Sequence, residues 1–188
     1  MSNILKLTSP IPPSVNHYLA TRAIVKNGKP MAMVYETKEA KEYKKWFTEY
    51  IKSEAQKQNW TSDLDPAQHY YCDCVFYFDR IDKDCNNYFK LLLDSITESQ
   101  TIWTDDNVVC ERVNRIYYDS DNPRIEIEIY PVDYTGIFDT KEELDDFEEK
   151  CKMCKRYKRN CSILKKAKEG RIQEEIEDFE CAKFNKCS

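Results

Sequence analysis

Asp82-Lys83-Asp84-Cys85-Asn86-Asn87-Tyr88-Phe89-Lys90, with Asp94 four residues further on and Asp105-Asp106 beyond it, decides how this chain is read. The residues before it, Tyr70 to Asp79, are dense in aromatic and β-favouring side chains and predict a central strand. The residues after it predict a helix over 86–97, because Phe89, Leu92, Leu93 and Ile96 fall at i, i+3, i+4 and i+7. Asn87, Lys90 and Asp94 fall on a different stripe of that helix. A polar loop through Trp103-Thr104-Asp105-Asp106 leads to strand candidates at 108–118 and 124–130. The turn Asp119-Ser120-Asp121-Asn122-Pro123 reads as a hairpin between them.

Upstream, residues 3–8 alternate weakly as a first strand, and Pro10, Pro12 and Pro13 enforce an extended segment before Ser14-Val15-Asn16-His17-Tyr18. Residues 20–25 and 31–36 read as a hairpin turning at Asn27-Gly28. From Lys38 to Lys57 the apolar spacing of three and four, through Ala40, Tyr43, Phe47, Tyr50 and Ile51, is helical. Pro131 to Thr140 marks a boundary, and the charged remainder reads as helical with a break near Gly170. The fold class expected is α/β (α+β): a small mixed sheet flanked by helices over 1–132, and a short, mostly helical, cysteine-rich appendage over 133–188.

A length of 188 residues suits one domain and an appendage, and 41% hydrophobic residues with only three glycines argue against a disordered chain. No apolar run approaches the roughly 20 residues of a membrane span, and the N-terminus lacks a signal-peptide core, so the expected location is the cytoplasm. The net charge of −5 is unevenly spread. Residues 1–57 hold ten Lys/Arg against five Glu, and residues 150–171 hold ten Lys/Arg against Glu169 alone. Acid gathers in 139–149 and around 79–106. Two basic regions flanking an acidic centre suit a protein that grips phosphates and holds a cation, although solvated helix faces give the same pattern.

Phosphodiester hydrolysis needs charge on the phosphate and an activated water, and magnesium held by a few oxygen ligands supplies both. Here one group of oxygens sits where a strand gives way to a helix, and another sits in the loop entering the next strand. Lys90, about one turn after Asn86 or Asn87, projects beside that point, to pair with a scissile phosphate oxygen or to orient the water. The plain alternative is that Asp84 or Asn86 caps the helix and that Asp105-Asp106-Asn107 is a polar turn.

Two motifs add a resemblance. Pro12-Pro13-Ser14-Val15-Asn16-His17-Tyr18, and Asp84-x-Asn86-Asn87-x-x-Lys90-x-x-x-Asp94 followed by Asp105-Asp106, are similar in order and spacing to the signatures of the RusA family of Holliday junction resolvases, over roughly residues 4–131. The resemblance implies a small α/β fold, a homodimer, and Mg2+- (or Mn2+-) dependent paired nicking of four-way DNA junctions in recombination and repair. It places such a protein in bacterial or phage-infected cytoplasm. By it, Asp84 and Asp106 are metal ligands and Lys90 a catalytic cation. The family's second aspartate falls at Asn86, whose amide oxygen ligates without charge. Asp82, Asp94 or Asp105 are candidates to supply the missing carboxylate. Asn16 and Asn87 are candidate DNA contacts, as are Lys41, Lys44 and Lys45 among the N-terminal lysines, through the phosphate backbone. His17, one of two histidines, is not assigned as a general base.

The nine cysteines divide. Cys72, Cys74, Cys85 and Cys110 read mostly as small buried hydrophobes. Cys151-x-x-Cys154 has the bite of a zinc knuckle, with Cys161 and Cys181 to complete four thiolates and Cys187 as a competitor. An iron–sulfur cluster uses similar sets, and a reduced appendage with unpaired thiols is the plain alternative. Lys155, Arg156 and Arg159 beside these thiols are candidate DNA contacts. Against the junction endonuclease stand a catalytically weakened or inactive DNA-binding module with a zinc-stabilised tail, and a nuclease for flap or fork DNA.

Overall fold

A computed structural model describes residues 3–62, 64, 65 and 68–186. The chain divides into two compact units, one from the described residues of 1–66 and 70–130, the other from those of 67–69 and 131–188.

The first unit runs β1 (Leu5–Pro10), α1 (Val15–Tyr18), β2 (Leu19–Lys26), β3 (Lys29–Glu36), α2 (Lys38–Lys57), β4 (Tyr70–Phe78), α3 (Asn86–Ser99), β5 (Val109–Tyr118) and β6 (Arg124–Pro131). Four strands form a mixed sheet in the order β1-β6-β4-β5, with β1 antiparallel to β6 and β4 parallel to β5. Strict alternation along β4 sends Tyr70, Cys72, Cys74, Phe76 and Phe78 inward. They meet Leu5 and Leu7 of β1, Ile125, Ile127 and Ile129 of β6, and the apolar stripes of the two long helices in one core. Phe47 and Ile51 of α2 and Leu92 and Ile96 of α3 are fully buried there. Cys72, Cys74 and Cys85 lie in the same core as small apolar groups.

Most element assignments follow the sequence patterns, but one connection does not. Strands β5 and β6 are not a hairpin, since β4 lies between them. The β4-α3-β5 crossover makes β5 a parallel neighbour of β4, as strand–helix–strand units do. β6 must then take the opposite side of β4, where β1 closes the sheet. Local patterning marks both strands but says nothing of which neighbour each selects. The β2–β3 hairpin does form as expected, a separate two-stranded ribbon turning at Asn27 (φ 53°) and Gly28 (φ 73°).

The second unit contains α4 (Lys141–Lys152), α5 (Ile163–Lys168) and a small hairpin of β7 (Ile176–Glu177) and β8 (Glu180–Cys181). Thr140 and Glu143 form a reciprocal capping box that starts α4. Helix occupies less of this unit than expected. The stretch between α4 and α5 is a run of turns, and the segment after Gly170 contains the hairpin. Its core is small: Phe138, Phe147, Ile163 and Ala167.

Candidate active site

The strand-to-helix junction is built by Asp84. Its Oδ1 accepts the Asn86 backbone N–H at 3.0 Å, and its carbonyl accepts that of Asn87 at 3.2 Å. The N-cap of α3 is Cys85, without a side-chain cap bond, and the Asp84 bond is an Asx-type turn just before the helix that engages one of the two carboxylate oxygens. Asp84 and Asn86 are exposed, and Asn87 is half-buried. Asp82, Asp84 and Asn87 line one open cleft of about 470 Å³, facing Pro12, Ser14 and His17 across it. The two sequence signatures, some 70 residues apart, thus share one cleft. His17 Nδ1 lies 3.0 Å from Ser14 Oγ. Asp82 pairs with Arg80 at 3.0 Å, and Lys83 pairs with Asp79 at 2.6 Å.

One turn along α3, Lys90 Nζ donates to Asp94 Oδ1 at 2.6 Å. This bond raises the Lys90 pKa against the opposing effect of burial, and the negative charge of Asp106 adds to the rise. Lys90 is accordingly a cation paired with Asp94. Asp106 opens a short 3-10 turn, Asp106–Val108, which Asp105 caps by accepting the Asn107 N–H at 3.0 Å. Asp94, one of the candidates to replace the missing carboxylate, has both oxygens engaged: Oδ2 accepts the Tyr18 hydroxyl at 2.9 Å. Asp82, paired with Arg80, and Asp105, bonded to the Asn107 N–H, each have one oxygen engaged, as Asp84 does.

Among the described residues no three His, Cys, Asp or Glu side chains gather into a metal-holding group. The set expected from the motifs has only two carboxylates, Asp84 and Asp106, with the Asn86 amide as the third donor. These are hard oxygen donors, two at the start of α3 and one opening the 3-10 turn, and their chemistry fits Mg2+ or Mn2+ rather than a thiophilic ion.

Lys44 departs from its expected part. Its side chain is only 17% exposed, and it is paired with Glu36 at 3.0 Å and Glu98 at 2.9 Å. Its ammonium ties the end of β3 and the end of α3 to α2, and so it is not presented to a phosphate. The reason is geometric: α2 turns Lys44 toward Glu36 at the end of β3 and Glu98 near the end of α3, whereas Lys41 and Lys45 on the same helix stay exposed. Asn16 is also exposed, as are Lys155, Arg156 and Arg159 in the second unit. Tyr18 and Glu36 escaped the sequence reading. Tyr18 lies 76 residues from Asp94, and no local pattern announces such a contact.

In the second unit Cys151, Cys154, Cys161 and Cys181 all line a cavity of about 630 Å³. Cys151 is pushed up to about 11 by burial first and then by the neighbouring thiols of Cys181, Cys161 and Cys154. Cys154 is lowered by backbone N–H donors from Arg156 and Asn185, the latter 3.4 Å from Sγ. The expected fifth thiol, Cys187, lies outside the described residues.

No helix among the described residues is long and apolar enough to cross a membrane. No curated protein matches the chain. The family described as Endodeoxyribonuclease RusA matches over residues 10–130, which takes in the cleft, Lys90 and Asp106. That span is well over half of the sequence, and the chain belongs to the RusA endodeoxyribonuclease family.

Proposed function

We propose that this protein is a Mg2+- or Mn2+-dependent endonuclease that resolves four-way DNA junctions by paired symmetric nicks, acting as a homodimer in recombination or repair in bacterial or phage-infected cytoplasm. The observation that supports the reading is the meeting of both signatures at one cleft, with Lys90 paired to Asp94 one turn along α3. Asp84, Asn86 and Asp106 would hold the ion, which when bound supplies positive charge to the phosphate and a more acidic water. Lys90 stabilises charge on the phosphate. Asn16, Asn87, Lys41 and Lys45 provide backbone contacts without sequence information. A two-fold dimer matches the two-fold relation of the paired cuts.

The test is cleavage of a labelled synthetic four-way junction with Mg2+, beside a linear duplex, a flap and a fork. Symmetric nicks on the junction alone are expected. Nicks confined to flap or fork would replace the substrate, and binding without nicks, with Mn2+ as well, would make this a binding module.

Asn86 gives a second expectation. Asn86→Asp adds a carboxylate to the ligand set and should lower the Mg2+ concentration for half-maximal cleavage by about tenfold. A midpoint unchanged in a metal titration would remove Asn86 from the site.

For the tail we propose one Zn2+ on Cys151, Cys154, Cys161 and Cys181, with an iron–sulfur cluster as the other thiolate option. Support comes from the four thiols sharing one cavity and from the N–H donors aimed at Cys154. Binding would have to draw the thiols closer than they stand. Metal analysis of the purified protein, with Cys154→Ser as control, tests it.

A further inference from the structure

The N-terminal signature ends in Tyr18, and its position suggests a task separate from DNA contact. Tyr18 is the last residue of α1 and is 7% exposed. The short helix is fixed to the start of α2, where Thr37 N donates to the Tyr18 carbonyl at 3.0 Å and Thr37 Oγ1 donates to the His17 carbonyl at 3.0 Å. The phenol is thereby directed at α3. Its oxygen lies 2.9 Å from Asp94 Oδ2 and 3.0 Å from Glu36 Oε1.

A phenol has one proton to donate, so only one of these carboxylates receives it at a time. Glu36 Oε1 already accepts the Lys44 ammonium. Asp94 has its other oxygen on Lys90 and its side chain is 19% exposed. The carboxylate is therefore fixed at both ends, by Tyr18 on Oδ2 and by Lys90 on Oδ1. Burial, followed by the two adjacent carboxylates, raises the Tyr18 pKa, which keeps it a donor throughout the working range. Lys90 itself is 58% exposed, and a lysine that open ordinarily samples many rotamers.

We propose that Tyr18 is a positioning residue for the cleavage reaction: through Asp94 it holds the Lys90 ammonium in one orientation on α3. The inference rests on the catalytic reading of Lys90 given above. It gives the N-terminal signature a role inside the site, as the support of a support. Freed of Tyr18, Asp94 keeps its charge but gains rotamer freedom, and Lys90 follows it. Binding of DNA, governed by many exposed cations, should barely respond, whereas the chemical step should slow.

The experiment uses Tyr18→Phe, which keeps the buried ring and removes only the hydroxyl, alone and combined with Lys90→Ala. Single-turnover junction cleavage is expected to fall about tenfold in Tyr18→Phe, with junction Kd unchanged within about twofold. In the Lys90→Ala background the same change should cost less than about twofold, because the residue it positions is gone. A second readout needs neither DNA nor metal. The side-chain ammonium resonance of Lys90 in 15N-labelled protein, assigned by its loss in Lys90→Ala, should broaden or shift in Tyr18→Phe. An unchanged resonance together with unchanged cleavage overturns the proposal, and so does an equal loss in both backgrounds, which would mark general structural damage. If Lys90→Ala cleaves as well as the parent, the catalytic reading of Lys90 fails and the positioning role falls with it. A Tyr18→Phe variant that cleaves normally while Lys90→Ala is inactive overturns the positioning role alone.

Discussion

Asp106→Asn should lower the rate of junction nicking by at least about a hundredfold while leaving junction binding within a few-fold of the parent. The substitution exchanges one carboxylate oxygen for an amide nitrogen and keeps the volume, so the 3-10 turn and the buried Val108 behind it have no reason to move. What changes is charge. In the proposed ligand set Asn86 is already an uncharged amide, and removing Asp106 would leave Asp84 as the only carboxylate of that set. A divalent ion held by one carboxylate and two amides binds poorly and is the weaker electrophile. The same substitution withdraws a negative charge from Lys90, whose protonated form Asp106 helps to favour. Lys90 still has Asp94, so it remains charged, and on the proposed reading the loss falls on metal binding. Raising Mg2+ should recover part of the rate if affinity is the main deficit. The measurement is a single-turnover time course across a Mg2+ range, with Kd measured separately in Ca2+. Cleavage within about threefold of the parent at all Mg2+ concentrations would remove Asp106 from the site.

The fold was legible where burial is one-sided and local. The α2 stripe of Ala40, Tyr43, Phe47 and Ile51 and the strict alternation of β4 are each written in a single window of sequence, and each element forms where the pattern places it. The turn at Asn27-Gly28 was equally readable, because few residue pairs tolerate positive φ in succession. Strand neighbours were not readable: β5 and β6 carry the same signal whether they pair with each other or straddle β4. At the site, Asp84 stands just before α3 and Lys90 one turn into it, and that spacing is visible. What a window cannot hold is the company each keeps. Lys44 looked like any other exposed lysine until α3 supplied Glu98 and β3 supplied Glu36. Asp94 looked like a spare metal ligand until Tyr18 arrived from the other signature. Charge alone does not tell a residue that faces a ligand from one that faces another residue.

Gly136→Ala should destabilise the second unit by about 3 kcal/mol or more, the combined cost of a left-handed backbone and an overpacked contact. Gly136 has φ +62°, and a Cβ placed there would stand 2.0 Å from the Ala167 carbonyl oxygen and 2.7 Å from the Lys168 backbone. Neither neighbour is a flexible side-chain tip. The Ala167 carbonyl is also the acceptor for Ile137 N–H at 3.0 Å, and so the chain comes this close in order to make a bond. Thr135 and Phe138 exchange backbone hydrogen bonds of 2.9 and 3.0 Å around the same turn, which aims Phe138 into the core. That core consists of Phe138, Phe147, Ile163 and Ala167. Shifting Ala167 to admit a methyl group therefore moves one of its four buried members and loosens another. Gly28→Ala is the fitting control, for φ there is +73° yet nothing lies within 4 Å of the added Cβ, so only backbone strain is incurred. Limited proteolysis with mass-spectrometric mapping should show cleavage between residues 131 and 186 in Gly136→Ala at protease levels that leave the parent and Gly28→Ala intact. The sheet of the first unit should resist in all three proteins. Equal resistance of Gly136→Ala would mean that the turn can open without disturbing the packing of Phe138, and that the close approach to Ala167 does not hold this unit together.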